Sequence, residues 1–438
     1  MFKYHKRKHL LMATVLAGLV SMQTAFAAPV EVTLDKAVSM ALKTNPTVKI
    51  SEAESEAAEG QKDAVKASRW FTINFNSDFS RGGYYDPVTN PVTNIPSKGL
   101  QDTYNNGFSA SVPLYTGGKL SGTIEQAVQN YRASEYGVAE AYQAVKLSAT
   151  DAFFTVLQTE NVVALSQESV DRLKAHLNNV NAQYQVGVVA KVDVLRSEVE
   201  LADAEQTLIK AQNAHDLAVA NLNNIIGLPH ESEIVVAEKL GYEEYTNALE
   251  NCITFALANR PELYQAEASV ESAKAGVKVA RAGYLPQVSA SASNKWSSHS
   301  WPGDDDENWG VGIGLSMNVF DSGVTAGKVK SAKATLLKAE ETYRKTKDEI
   351  QLDVRNNYLN LREAEKRIST AQVAVLKAEE DYHIAQVRYQ AGVGTNLDVM
   401  DSQVALTQAK NNYVQALYDY NTSGASLEKA MGVPVSVN

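Results

Sequence analysis

Two patterns of apolar and polar residues occur along the chain, and both occur twice in the same order. In the shorter segments apolar and polar residues alternate, and in the longer ones apolar residues recur every three or four positions. The first spacing predicts a strand with one apolar face, and the second predicts helices that pack as coiled coils. The chain is therefore expected to contain a pair of strands followed by a helical hairpin, twice over.

The strand pattern is clearest in the first pair, where Phe71, Ile73 and Phe75 alternate with polar residues. Strands are expected at about 71–82, 103–114, 286–296 and 309–319. Each is about ten residues long, which is the length of a tilted strand that crosses a bilayer.

Aromatic residues collect at both ends of these expected strands. They are Tyr84, Tyr85, Tyr104, Trp296, Trp301 and Trp309 near the loops, and Trp70, Tyr115, Tyr284 and Phe320 at the other end. Two such groups resemble the aromatic girdles of a membrane barrel. The alternative is that they form the core of a soluble sandwich.

The helical pattern fills two segments without proline, 114–228 and 303–433, which are rich in strong helix formers. Each segment is interrupted for only a few residues, at Gly187 and at Gly392, so each is expected to form an antiparallel hairpin with a tight tip. The hairpins are expected at about 121–226 and 325–431. A heptad seam in the second runs through Ile368, Ala371, Val375, Ala378, Tyr382, Ala385 and Tyr389.

The two copies match at a fixed distance along the chain. The segment Tyr184-Gln185-Val186-Gly187-Val188 returns 205 positions later as Tyr389-Gln390-Ala391-Gly392-Val393. This period is far longer than that of solenoid repeats and indicates a domain-scale duplication. The expected organisation is a signal peptide at 1–27, a first repeat at 28–229, a linker at 230–249, a second repeat at 250–434 and a tail at 435–438.

The first 27 residues have the features of a secretory signal. A basic start is followed by an apolar stretch from Leu10 to Val20 and by the small-residue cleavage site Ala25-Phe26-Ala27. The exported chain contains no apolar run of about 18 residues, so strands would have to cross any membrane it spans. The net charge of −10 disfavours nucleic acid as a partner.

No catalytic, cofactor or metal site is expected. The seven histidines lack metal-ligand spacing, and neither a phosphate loop nor a nucleophile elbow occurs. The single cysteine, Cys252, is interpreted as a small core residue. The acidic run from Asp304 to Glu307 is either a divalent-ion site or a solvated loop. An enzyme is therefore not expected.

Four strands cannot close a barrel, and open sheet edges in hydrocarbon leave backbone groups unpaired. Self-association is therefore expected. Three copies would supply 12 strands, enough for a pore, whereas two would supply 8, whose interior side chains fill.

The duplicated order of strand hairpin and helical hairpin resembles the TolC family of outer-membrane channel-tunnels. The resemblance includes Pro113-Leu114-Tyr115-Thr116-Gly117-Gly118 and the repeated Tyr-Gln-x-Gly-Val followed by Asp-Val, and it covers essentially the whole exported chain. It implies a homotrimer with a 12-stranded barrel in outer-membrane lipid and a long periplasmic α-helical barrel. It also implies docking on a periplasmic adaptor (membrane fusion) protein and an inner-membrane pump or ABC transporter.

The resemblance also assigns residues to the periplasmic entrance. Positions matching Asp398 and Asp401 form acidic rings there, and positions matching Asp193 and Tyr389 help to hold it shut. On spacing alone, the two aspartates are a solvated first helical turn and Tyr389 is a heptad core residue. The first copy has Arg196 where the second has Asp401, so only the second could form the double ring.

The hairpin tips are candidates for adaptor contact through Gly187, Val188, Gly392 and Val393, a plain turn being the alternative. The family pattern has an arginine two places after the second tip glycine, but this chain has Gly394. The contacts that hold the entrance shut in the family, here called the latch, therefore lack this arginine in the present chain.

The sequence thus predicts a passive outer-membrane exit duct, and it leaves efflux and protein secretion equally open. The main alternative is a secreted or surface coiled-coil scaffold or adhesin, which would explain the heptads but not the paired strands. A periplasmic adaptor is a further alternative, although that class should show one helical hairpin rather than two.

Overall fold

The computed structural model describes residues 30–86, 97–302 and 306–435. The expected signal peptide and two residues of the acidic run, Asp304 and Asp305, lie outside these ranges. The elements in chain order are β1 (Val30–Val32), α1 (Leu34–Thr44), α2 (Pro46–Ala67), β2 (Thr72–Asp86), β3 (Ser97–Tyr115), α3 (Lys119–Gln185), α4 (Lys191–Ile226), β4 (Ile234–Val236), α5 (Leu249–Asn259), α6 (Pro261–Arg281), β5 (Gln287–Ser298), β6 (Asp306–Ser316), α7 (Val324–Gln390) and α8 (Asn396–Met431).

The duplication extends to the lengths of the helices. Helices α3 and α7 contain 67 residues each, and α4 and α8 contain 36 each. At 1.5 Å per residue the longer pair spans roughly 100 Å. Both long helices start after a glycine in the left-handed region, Gly118 at φ 89° and Gly323 at φ 87°, a conformation that residues with a Cβ rarely adopt. Within the described residues, no helix combines the length and apolarity that a membrane span requires.

Strands β2, β3, β5 and β6 form one antiparallel sheet in that order. The pairing of β3 with β5 joins the strand hairpins of the two repeats. The first hairpin is longer than the alternation indicates, because the ladder continues through Gly82 opposite Gln101 and Gly83 opposite Leu100. Backbone pairing needs no apolar side chains, so this extension left no trace in the pattern.

The sheet has one apolar face and one polar face. The register aligns Ile73, Ala110, Ala292 and Val311 on the first, and Thr72, Ser111, Ser291 and Gly312 on the second. In the single chain the apolar face is uncovered, with Ile73 62% and Val311 75% exposed. Trp70, Trp301 and Trp309 are also largely exposed, so they do not form the core of a sandwich.

The helices pack as two hairpins that lie side by side. The first half of α3 lies against α2 and α6, through the hydrogen bonds of Tyr142 to Glu52 and of Gln265 to Glu140. Its second half lies against α4 and α8. Midway along the first hairpin, one core contains the fully buried Phe153, Leu157, Leu222 and Ile226. A matching core in the second repeat contains Leu361, Leu427 and Cys252. Strand β4, within the expected linker, pairs in parallel with β1 beside the first core.

Candidate functional site at the helical tips

Each hairpin ends in a short turn built on a glycine. Gly187 has φ 79° and Gly392 has φ 73°. In both turns the next residue, Val188 or Val393, donates its amide to the carbonyl five residues earlier at 2.9 or 3.0 Å. The two valines are about 70% exposed and no heavy atom approaches a Cβ position on either glycine within 4 Å. The tips are therefore open apolar surfaces in the single chain.

A small apolar core lies directly above the tips and takes side chains from all four hairpin helices. It consists of Val180, Val194, Ala385, Tyr389 and Val399. The ring of Tyr389 is thus a core element, only 7% exposed, and its hydroxyl has no hydrogen-bond partner in the described structure. Burial raises the pKa of this phenol, and the charge of Asp193 raises it further. The structure brings these two latch candidates near each other without a hydrogen bond between their side chains.

The two aspartates of the expected ring lie one turn apart at the start of α8. Asp398 is the third residue of a capping box: its carboxylate accepts from the Thr395 amide at 2.9 Å, and its own amide donates to the Thr395 hydroxyl at 3.2 Å. These bonds, and more weakly the charge of Arg388, lower the pKa of Asp398. Asp401 is exposed and close enough to contribute to the raised pKa of Glu200, which is mainly due to burial and then to Asp203. Negative charge is therefore concentrated here.

A buried polar cluster beside this core was not evident from the sequence. Nε2 of His176 on α3 lies 2.6 Å from Oδ1 of Asn396, the first residue of α8. The amide nitrogen of Asn396 donates to the Asp193 carbonyl and to the Ser197 hydroxyl, both at 3.2 Å. The only sequence signal was a departure from the repeat, since the position matching Asn396 is Lys191 and the position matching His176 is Asp381. The cluster therefore fastens one hairpin to the other.

The structure offers a cation at the second tip, on Arg388, whose backbone carbonyl accepts from the Gly394 amide at 3.0 Å. Arg388, in the last turn of α7, is exposed and reaches the Val393 carbonyl at 3.5 Å. A Cβ on Gly394 would lie 3.0 Å from the amide nitrogen of Tyr389 and 3.1 Å from Cβ of Arg388. The tip is therefore too tight for a larger residue at 394 unless the neighbouring backbone moves, and the charge of Arg388 contributes to the lowered pKa of Asp398.

In the part of the chain that the structure describes, no group of three or more His, Cys, Asp or Glu residues could hold a metal ion. Of the acidic run, Asp306 and Glu307 begin β6, and Glu307 accepts from the Asn294 amide at 3.1 Å. Cys252 is buried in a core, as expected.

The family model of the outer membrane efflux protein matches residues 37–228 and 253–433. The outer membrane protein TolC of Escherichia coli (strain K12) is 23% identical over 406 residues, covering 89% of this chain and 80% of that protein. The alkaline protease secretion protein AprF of Pseudomonas aeruginosa is 24% identical over 416 residues, covering 90% and 83%.

Solved structures of outer-membrane channels share the fold. The CmeC channel of Campylobacter jejuni matches with a TM-score of 0.82 at 19% identity, covering 91% of this chain and 85% of that one. VceC of Vibrio cholerae matches with a TM-score of 0.78 at 19% identity, covering 91% and 96%. The expected fold class, strands for an outer-membrane barrel continued by a long helical barrel, is confirmed. The chain is a protein of the outer membrane, and it belongs to the outer membrane efflux protein family.

Proposed function

We propose that three copies of this chain form a passive exit duct across the outer membrane. The observation that carries the proposal is the four-stranded sheet, whose apolar face is exposed and whose outer strands, β2 and β6, have no second partner among the described residues. Three copies would pair these edges and close 12 strands around a pore lined by the polar face. The long helices would continue the duct into the periplasm. The scaffold or adhesin alternative does not account for the sheet or for the family.

The periplasmic end of the duct is proposed to be its gate. Asp398 and Asp401 of three copies would place six carboxylates around one opening, and such rings favour cations over anions. The exposure of both side chains supports this role, and the lowered pKa of Asp398 keeps that carboxylate charged at neutral pH.

The latch is proposed to act through packing and polar contacts of the second hairpin. The Tyr389 ring fills the core between the hairpins, Asp193 offers its carbonyl to Asn396, and Arg388 supplies the cation that Gly394 cannot. In this chain Tyr389 would thus act through its ring rather than through its hydroxyl.

The tips are proposed to dock a periplasmic adaptor that connects the duct to an inner-membrane pump or ABC transporter. The exposed Val188 and Val393, held out by Gly187 and Gly392, would provide the apolar contact. Energy would come from the partner, and the duct itself would perform no enzymatic step. AprF serves protease secretion and OpmQ of Pseudomonas aeruginosa serves pyoverdine export, according to their names, and this chain is proposed to serve one of these two kinds of transport.

Native mass spectrometry of the purified protein in detergent tests the assembly. The proposal expects a complex of three chains. A monomer or a dimer as the main species at micromolar concentration would contradict it.

A further inference from the structure

The seam between the two hairpins of one chain shows how neighbouring hairpins fit together. Helix α3 lies along α8, and polar pairs connect them at several levels. The Thr155 hydroxyl lies 3.2 Å from that of Tyr418, the Gln158 amide donates to Gln415 at 3.2 Å, and His176 bonds Asn396 near the tips. These three pairs mark opposite positions along the seam.

In a ring of such chains, every second seam lies between two copies. The first hairpin of one copy then meets the second hairpin of the next. Because the helices of the two repeats have equal lengths and ends that match at a shift of 205, the seam between copies should pair α7 with α4 as the internal seam pairs α3 with α8. The residues that meet there are found by adding 205 to the number of the α3 residue in each internal pair and subtracting 205 from the number of the α8 residue.

This transfer brings together side chains of complementary chemistry. The His176–Asn396 pair becomes Asp381 and Lys191, the Gln158–Gln415 pair becomes Glu363 and Lys210, and the Thr155–Tyr418 pair becomes Asn360 and Asn213. Two neutral pairs thus become pairs of opposite charge, and the third becomes two amides. Not every level transfers in this way, since the bond between Ser169 and Gln403 becomes Ala374 opposite Glu198.

In the single chain these charged side chains are available for a partner. All four are exposed. Glu363 binds Arg367 within its own helix at 2.8 Å, whereas Asp381, Lys191 and Lys210 take part in none of the ion pairs found among the described residues. Three of the four charges therefore have no ion-pair partner within the described part of one chain.

We propose that the surface formed by α7 of one copy and α4 of the next is an interface between copies, in which Asp381 pairs with Lys191 and Glu363 pairs with Lys210. The proposal rests on the proposed assembly and adds the register in which α7 of one copy lies against α4 of the next. Exposed ion pairs are individually weak, so they align neighbouring helices and discriminate against shifted contacts rather than holding the ring alone. The seam within each chain has ion pairs of its own at other levels, Lys146 with Glu428 and Lys410 with Glu168, so both kinds of seam would combine charged and uncharged contacts.

Cross-linking of the full-length protein in outer membranes tests this register. Asp381→Cys with Lys191→Cys, and Glu363→Cys with Lys210→Cys, are treated with a short bis-maleimide. Both pairs should give covalent dimers and trimers. The matched control is Asp381→Cys with Lys210→Cys, which uses the same positions about 28 Å out of register at 1.5 Å per residue and should give none. The natural Cys252 is buried, so the unmodified chain serves as the blank.

A charge exchange gives an independent result. Asp381→Lys alone should lower the fraction of complex that survives a detergent challenge several-fold at low salt, and Lys191→Asp in the same chain should restore it. Absence of in-register cross-links in a preparation that native mass spectrometry shows to be trimeric, or a double variant no better than the single one, would overturn the interface and leave the duct intact. A preparation without trimers would instead refute the proposed assembly.

Discussion

Nε2 of His176 lies 2.6 Å from Oδ1 of Asn396, and this buried bond joins the first helical hairpin to the second beside the entrance. Because the amide nitrogen of Asn396 donates to Asp193 and Ser197, its oxygen is the acceptor and the imidazole is the donor. A neutral imidazole satisfies this geometry. Burial lowers the pKa of His176, and the bond to Asn396 offsets this only in part.

We predict that acid loosens the entrance. His176 in an opened seam is hydrated, with a pKa near its ordinary value of 6.5, whereas the closed seam lowers it. Protons therefore bind preferentially to the open form, so closure is strongest above pH 6.5 and weakens as the pH falls below it. One proton per chain changes the ratio of open to closed seams by at most about tenfold per pH unit. Open probability in planar bilayers between pH 7.5 and 5 measures this.

The groups around His176 make this prediction specific. Arg172, one turn earlier on α3, forms an ion pair with Glu168. Asp193 on α4 lies near the Tyr389 phenol of α7. Asp398 on α8 accepts from the Thr395 amide in the capping box of its own helix. His176→Gln keeps a donor and should abolish the response to acid, while the exposed His383→Gln should retain it. Asn396→Asp should reverse it by offering a carboxylate to the imidazolium. An unchanged response in His176→Gln would refute the prediction.

The acidic ring predicts a cation preference that depends on two side chains. Asp398→Asn with Asp401→Asn should reduce the permeability ratio of potassium over chloride and relieve block by divalent cations. Asparagine is the appropriate change, because its side-chain oxygen can still accept from the Thr395 amide, whereas alanine at 398 would remove this bond of the capping box. Reversal potentials in a salt gradient measure the effect, with Asp171→Asn on α3 as a control. Equal ion selectivity in the unchanged protein, the double variant and the control would show that the two aspartates do not form a selective ring.

Tyr389 is predicted to work through its ring. Its hydroxyl is buried without a partner, so Tyr389→Phe should leave the melting temperature within a degree or two and keep the entrance closed. Tyr389→Ala should cost about 3–5 kcal/mol and open the tips, because it empties the core between the hairpins. Thermal unfolding and resting conductance distinguish the two variants. An open channel in Tyr389→Phe would show that the hydroxyl is the latch.

Asp151 on α3 should destabilise the fold once the pH exceeds about 6. Burial raises its pKa to about 6, and one carboxylate oxygen has no partner in the described residues. A carboxyl whose folded pKa exceeds its unfolded value of 3.8 contributes most at low pH and loses that contribution as the pH rises toward 6. Asp151→Asn should therefore stabilise the protein at pH 8 by on the order of 1–2 kcal/mol, after allowance for partial solvent access. No gain at pH 8 relative to pH 4 would contradict this.

The sequence was informative where side-chain pattern and structure coincide. Alternation at Phe71, Ile73 and Phe75 indicated strands, and Gly187 and Gly392 marked the tips, because each reflects a local requirement of the backbone. The hydrogen bond of His176 to Asn396 left no such pattern, because its partners are 220 residues apart and both residue types are common on helix surfaces. It was traceable only as a position where the two copies differ.

Conductance of the purified full-length protein in planar bilayers tests the central claim most directly. At pH 7.5 we expect rare, small, cation-selective openings, and a large sustained conductance in Tyr389→Ala, whose tips should be released. A protein that forms trimers but conducts no ions, in either the native form or the Tyr389→Ala variant, would contradict the account of this chain as an exit duct.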